Sequence, residues 1–347
     1  MDRRHEASPT NGFAARDGCG LTVPQLREVV GPESPAAPDP VPTIADVAAL
    51  ADRLRANVLS GVHLPAAVLE VVLATLLADG HLLVEDYPGV GKTQLARTLA
   101  GSFASSFARV QATVDLLPSD IVGASIWRPE VGSFEFRPGP VFAHLLLVDE
   151  LNRATPKTQS GLLEAMQERQ VTVDGASRPL PSPFIVIATQ NPAAGYDGTY
   201  ALPLAQLDRF LARVSLGYPS AEQEMSLLSG RLSPVASISS PHELRAAQQA
   251  VRGVHTSQAL VRYVVALLAA TREHPLVEVG ASPRAGLLLV SAARALAAID
   301  GRDFVVPDDI QAIAPAVLQH RLQLVASAAF DGAEGVVADV LATVSAR

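Results

Sequence analysis

Cysteine is all but missing from this chain. Cys19 stands alone among 347 residues, so an internal disulfide and a thiolate metal cluster are excluded. That usage fits a reducing compartment. Histidine supplies no substitute: the eight histidines are scattered without zinc-type spacing. His144, at a strand start, reads as structural. No Ser-His-Asp or Cys-His arrangement stands out. An excess of base is missing too. Lys and Arg number 27 against 35 Asp and Glu, a net charge of −8, which argues against a large nucleic-acid footprint. The longest apolar run, Leu64 to Ala78, is interrupted by Glu70 and is too short to span a bilayer. Met1 to Asn11 is polar and has no apolar signal core. The expectation is a cytoplasmic protein with no membrane insertion and no internal repeat.

What is present is a core. Hydrophobic residues make up 48% of the chain and charged ones 18%, enough for about two domains. Residues 1–43 are rich in proline and small or charged residues and read as a disordered arm. Val47, Leu50, Leu54 and Val58 share one face of a helix over Ile44 to Leu59, which Gly61 breaks. A second helix, Pro65 to Leu77, leads into an apolar strand at Leu82 to Val84. Further strands are expected at Phe107 to Ala112, Leu145 to Val148, Phe184 to Ala188 and Ala212 to Leu216. Strands alternating with helices imply a parallel α/β sheet. Beyond Tyr218 five or six helices follow, several opening with proline. The expected organisation is an α/β core over 44–218 and a smaller helical domain over 219–347. Two hairpins interrupt the core, at about 119–140 and 170–181, the second turning at Asp174–Gly175. Trp127, Phe134 and Phe136 in the first either pack on a neighbouring element or form an exposed contact surface.

The chemistry lies in two stretches. After the strand at Leu82 come Asp86-Tyr87-Pro88-Gly89-Val90-Gly91-Lys92-Thr93-Gln94 and then a helix. Strand, glycine turn and helix in that order suit a Walker A phosphate loop. Backbone N–H groups converge on phosphate oxygens, and the helix N-terminus adds partial positive charge. Lys92 can reach the β and γ phosphates, and the Thr93 hydroxyl can ligate Mg²⁺. The strict pattern has glycine where this chain has Asp86. Aspartate tolerates a left-handed backbone, and its carboxylate would have to point away from the phosphates. The second stretch is Leu145-Leu146-Leu147-Val148-Asp149-Glu150, a buried strand ending in two acids, a Walker B pattern. Ligands of open α/β sheets bind at that edge. Asp149 can complete the metal shell and Glu150 can polarise water as a general base.

Glu85 to Thr93, Leu145 to Gly175, Ala188 to Pro192 and Gln206 to Phe210 resemble the MoxR family of AAA+ ATPases, a likeness covering about residues 46–347. The resemblance implies an α/β P-loop AAA+ nucleotide-binding domain followed by a helical lid. It implies ATP and Mg²⁺ as ligands, self-association into a ring, usually a hexamer, and chaperone-like remodelling of a protein client. Partners of the family often carry von Willebrand factor A domains. On this likeness Asn191 is the first sensor, which orients the attacking water, Arg209 is the arginine finger and Arg284 the second sensor, in cis or in trans. The hairpins correspond to family insertions facing the ring's pore. Leu204 departs from relatives that carry an acid there. Two alternatives share these motifs: a nucleotide-gated scaffold with little hydrolysis, favoured only by Asp86, and a motor subunit of a metal chelatase-type complex.

Overall fold

Five short apolar strands line up in parallel to carry the site. The computed structural model describes residues 42–87, 89–191, 199–228, 235–325 and 332–346. The proline-rich stretch expected to be an arm lies outside them, apart from Pro42 and Thr43.

The described residues open with helices α1 (Ile44–Gly61) and α2 (Ala66–Leu77), followed by strand β1 (Leu82–Glu85). Thr43 starts α1 in a capping box with Asp46. The helix runs through Gly61 instead of stopping short of it. A Cβ there would lie 2.4 Å from Val235 and 2.8 Å from Thr98, so glycine is what allows α1 to approach its neighbours this closely. Next come α3 (Lys92–Ser102), β2 (Phe107–Gln111), the short α4 (Pro118–Val122), and the hairpin strands β3 (Gly123–Arg128) and β4 (Ser133–Pro138). Strand β5 (Leu145–Asp149) leads to α5 (Pro156–Glu168), capped by Thr155. A second hairpin, β6 (Gln170–Val173) and β7 (Ala176–Pro179), turns at Asp174 and Gly175, both at positive φ. The core ends with β8 (Ile185–Gln190), α6 (Leu204–Leu207) and β9 (Ala212–Val214).

The sheet order is β2-β5-β8-β1-β9, every pairing parallel. The three central strands, β5, β8 and β1, are buried on both faces, and their residues alternate between two clusters. Leu82, Val84, Leu145, Leu147, Ile185 and Ile187 face one. Leu83, Leu146, Val148, Val186 and Ala188 face the other, which α5 covers with Leu162, Leu163 and Met166. Two-sided burial explains why these strands read as unbroken apolar runs.

Beyond β9 the chain is helical: α7 (Ala221–Leu228), α8 (Pro241–Arg252), α9 (Gln258–Glu273), α10 (Pro283–Ile299), α11 (Pro307–Leu318) and α12 (Gly332–Thr343). A small antiparallel pair, β10 (Val277–Val279) with β11 (Gln323–Leu324), ties α9 to the stretch after α11. Sequence pattern did not announce that pair, because two or three residues carry no readable alternation. The apolar faces of α8 to α12 join α1, α2 and one face of the sheet in a single buried cluster. Among the described residues no helix is long and apolar enough to cross a membrane.

The first hairpin resolves its aromatics in two ways. Phe136 packs edge-on against Phe142, and the Arg178 guanidinium of β7 sits 4.0 Å above its ring. Trp127 and Phe134 pair across the strands at 5.2 Å yet stay 50% and 70% exposed.

Candidate nucleotide-binding site

The loop after β1 takes its shape from two glycines. Gly89 has φ +89 and Gly91 φ +94. An added Cβ would meet nothing within 4 Å at Gly89 and only Val62 at 3.7 Å at Gly91, so backbone conformation, not space, demands glycine. The left-handed backbone thus falls on these glycines and not on Asp86, whose φ is not positive. Gly91 is the N-cap of α3, and Lys92 and Thr93 open the helix. The helix start therefore presents unpaired N–H groups beside a lysine and a hydroxyl.

Lys92 Nζ donates to the Asp86 carbonyl at 2.6 Å. Burial lowers its pKa, opposed by the charges of Asp86, Asp149 and Glu150. Gln94 donates to the Gly61 carbonyl at 3.1 Å, tying α3 to the end of α1. The Asp86 carboxylate accepts from the chain leaving β9 with one oxygen and from the Tyr87 N–H with the other.

Strand β5 delivers Asp149 at its carboxyl end, nearly buried. Arg109, from the neighbouring β2, donates to Asp149 Oδ2 at 2.6 Å. Glu150 follows at φ +55, a left-handed position held by its N–H, which donates to Thr189 Oγ1 at 2.9 Å. Its carboxylate accepts from Gln111 Nε2 at 3.1 Å and faces Arg153 Nε at 2.9 Å. Arg109 and Gln111 are functional neighbours that sequence reasoning missed. Their alternate positions on β2 mark them as one face of a strand, but only the adjacency of β2 and β5 brings them to the two acids.

A cavity of about 440 Å³ at the carboxyl edge of the sheet is lined by Gly89, Gly91, Lys92, Thr93, Gln94, Arg97, Arg109, Gln111, Asp149, Glu150, Thr189 and Asn191. It adjoins a smaller one of about 180 Å³, lined by Val62, His63, Pro65, Val90, Leu216, Gly217, Tyr218 and Gln223 together with the loop glycines. His63 Nε2 is buried there without a hydrogen-bond partner. Tyr87 stacks on Tyr218 at 6.0 Å. Pro88 lies outside the described residues. Two larger cavities, about 620 Å³ between α9 and α10 and about 830 Å³ beside Arg55 and Arg302, lack any such meeting of lysine, hydroxyl and acids.

Arg209 and Arg284 are not in this cavity. Arg209 donates to the Leu163 carbonyl at 2.6 Å, and Arg284 donates to Gln167 Oε1 at 3.3 Å. Both partners lie on α5. Asp208, beside Arg209, pairs not with it but with Arg321 at 2.7 Å, and accepts from Ser282 Oγ at 3.2 Å.

The donor set suits a nucleotide with Mg²⁺. Thr93 and Asp149 bring hard oxygens to one cavity, and Asp149 already faces a cation in Arg109. Among the described residues no group of three or more His, Cys, Asp or Glu could hold a metal alone. Mg²⁺ bound by one or two protein oxygens, with phosphates and water supplying the rest, needs no such group.

Comparison with known proteins agrees in extent. Residues 81–212 match the ATPase family associated with various cellular activities (AAA), and residues 269–344 match the AAA lid domain. The chain is 47% identical over 279 residues to the uncharacterized protein YeaC of Bacillus subtilis, covering 78% of this chain and 87% of that one. It is 44% identical over 292 residues to the chaperone MoxR1 of Mycobacterium tuberculosis, covering 80% and 77%. The crystal structure of a candidate ATPase from Cytophaga hutchinsonii superposes with a TM-score of 0.80 at 34% identity, over 87% of this chain and 96% of that one.

Proposed function

The chain belongs to the MoxR family of AAA+ ATPases, and from that premise we propose that it hydrolyses ATP with Mg²⁺, works as a ring and remodels a partner protein. The observation that carries this reading is the convergence of Lys92, Thr93, Asp149, Glu150 and Asn191 on one cavity. In the proposed scheme the glycine-loop N–H groups and Lys92 take the β and γ phosphates. Lys92 leaves the Asp86 carbonyl to do so. Thr93 and Asp149 would hold Mg²⁺, which neutralises phosphate charge when bound. Asn191 orients a water, and Glu150 accepts its proton as the water oxygen bonds to the γ phosphorus and the bond to the β-phosphate oxygen breaks. The adenosine part takes the smaller cavity between His63 and Tyr218.

Arg209 and Arg284 both bond α5, and neither lines its own chain's cavity. We read both as acting in trans, on the nucleotide of a neighbouring subunit in a ring, with six subunits the expected count. The organisation proposed is an α/β core over 44–218 and a lid over 219–347. The exposed Trp127–Phe134 tip of the β3–β4 hairpin is the surface offered to a protein client, for which von Willebrand factor A-domain proteins are the first to try. The site of action is the cytoplasm. Asp86 is the only sequence feature favouring a scaffold with little turnover; that its carboxylate accepts from the Leu216 N–H supports the hydrolytic reading instead.

The test is steady-state ATP hydrolysis against protein concentration, in wild type and Glu150→Gln. Turnover per subunit should rise with concentration and vanish in the variant while ATP binding persists. Tight ATP binding with no turnover at any concentration would favour the scaffold.

A further inference from the structure

Asp86 stands where the strict phosphate-loop pattern has glycine, and the hydrolytic scheme leaves its side chain unused. That side chain is nevertheless placed with care. Asp86 is 4% exposed. Its Oδ2 accepts from the Leu216 N–H at 2.7 Å, the Gly217 N–H at 2.8 Å and the Ser215 hydroxyl at 3.0 Å. Its Oδ1 accepts from the Tyr87 N–H at 2.8 Å. Hydrogen bonds to an ionised acceptor are among the stronger ones, and here three come from one stretch of chain.

That stretch leaves β9 and lines the smaller cavity through Leu216, Gly217 and Tyr218. Gly217 sits at φ +71, where the backbone turns sharply just as it meets the carboxylate. The adjoining residues repeat the tie, since Tyr87 stacks on Tyr218. Residues 86 and 87 thus hold residues 215 to 218 by charge-assisted bonds and by ring contact. The phosphate side is shaped by other groups: the glycines set the loop, and Lys92 donates to the Asp86 backbone carbonyl while also sensing the Asp86 charge.

We infer that Asp86 is a positioning residue for the base-binding side of the site. By fixing the chain at Leu216 and Gly217 it sets one wall of the smaller cavity, and so the affinity for the adenosine part of the nucleotide. Its bearing on the phosphate side is limited to its backbone carbonyl and its charge near Lys92. The inference rests on the reading of the two cavities as an ATP site.

Asp86→Gly is the informative variant, because it restores the consensus loop residue while releasing the wall. Equilibrium binding of ATP and of inorganic tripolyphosphate, each with Mg²⁺, should be measured by calorimetry on the full chain. The expected result is ATP weakened about tenfold, as loss of bonds to a charged acceptor allows, with tripolyphosphate not weakened, since removing the Asp86 charge near Lys92 does not disfavour an anion. Equal weakening of both ligands would overturn the inference, because Asp86 would then act on the phosphate loop. Unchanged ATP affinity would overturn it as well. Wild-type protein that binds neither ligand would overturn the nucleotide reading itself, a failure visible before any variant is made. If the glycine variant does not fold, Asp86→Asn keeps the shape but loses the charge. A smaller loss confined to ATP supports the inference there, and equal losses overturn it.

Discussion

At the scale of single residues, placement is decided by what each polar group must satisfy. Glu150 holds a left-handed backbone that costs on the order of 1 kcal/mol or more for a side chain with a Cβ, and its N–H bond to Thr189 helps keep it there. His81 shows the opposite strategy, burial without charge. Its Nδ1 accepts from the Val186 N–H at 3.0 Å and its Nε2 meets the Met166 carbonyl at 3.2 Å, so the proton sits on Nε2. Burial, reinforced by Arg169, pushes its pKa down to about 3. His320 is also pushed well below its ordinary value by burial and by Arg321. Both stay neutral in the fold, whereas the unfolded chain protonates them below about pH 6.5. Stability from these groups is therefore complete above about pH 6.5 and falls as pH drops below it, for His81 down to about 3, because the unfolded state binds more protons in that window. Each group removes at most about 1.4 kcal/mol per pH unit there. Thermal unfolding should show a melting temperature that declines from about pH 6.5 to about 4.5, less steeply in His81→Gln. An equally steep decline in that variant would show that other groups govern the acid limb.

At the scale of elements, the turn carrying Arg209 is held by the helical region. Arg321 follows α11 in a single 3-10 turn, and its side chain is 1% exposed. It donates to Asp208 Oδ1 at 2.7 Å and to the Asp208 and Leu211 carbonyls at 3.2 and 3.3 Å, and also bonds the Phe210 and Val317 carbonyls. Burial lowers its pKa to about 10, with Asp208 opposing, so it remains charged at neutral pH. Removing one partner of such a pair costs more than removing both. Arg321→Met should destabilise by about 3–5 kcal/mol in denaturant unfolding, and Asp208→Asn on top of it should recover part of the loss. Simple additivity of the two losses would mean that the pair is not coupled. Ser282 and its bond to Asp208 extend the same network to the start of α10, beside Arg284.

At the scale of the whole molecule, the two arginines proposed to act on a neighbour's nucleotide both bond α5 and stand outside the lining of their own chain's cavity. Arg209→Ala should leave ATP binding by the subunit unchanged and lower turnover of the assembly by about three to five orders of magnitude. Mixing Arg209→Ala with Lys92→Ala subunits should restore part of the turnover, because some interfaces then pair an intact loop with an intact finger. Full turnover by Arg209→Ala alone would remove the finger assignment.

The strands, the glycine loop and the acid pair at Asp149 and Glu150 were readable from the chain alone, as was the family. Each of these is local: a run of apolar residues, a turn that needs glycine, two acids at the end of a strand. The alternation of Leu82, Leu83 and Val84 between two buried faces follows from backbone geometry that every strand shares. What the sequence could not contain is which distant groups meet. The sheet order β2-β5-β8-β1-β9 is not chain order, so nothing local tells that Arg109 faces Asp149, or that Gln111 reaches Glu150. The direction of the Asp86 carboxylate is of the same kind. Its partners lie some 130 residues away, and only the pairing of β9 beside β1 brings their N–H groups within reach. Asp86 looks like a defect when the loop is read alone; the tertiary structure makes it a fastening, because a buried carboxylate must find donors and the chain after β9 supplies them.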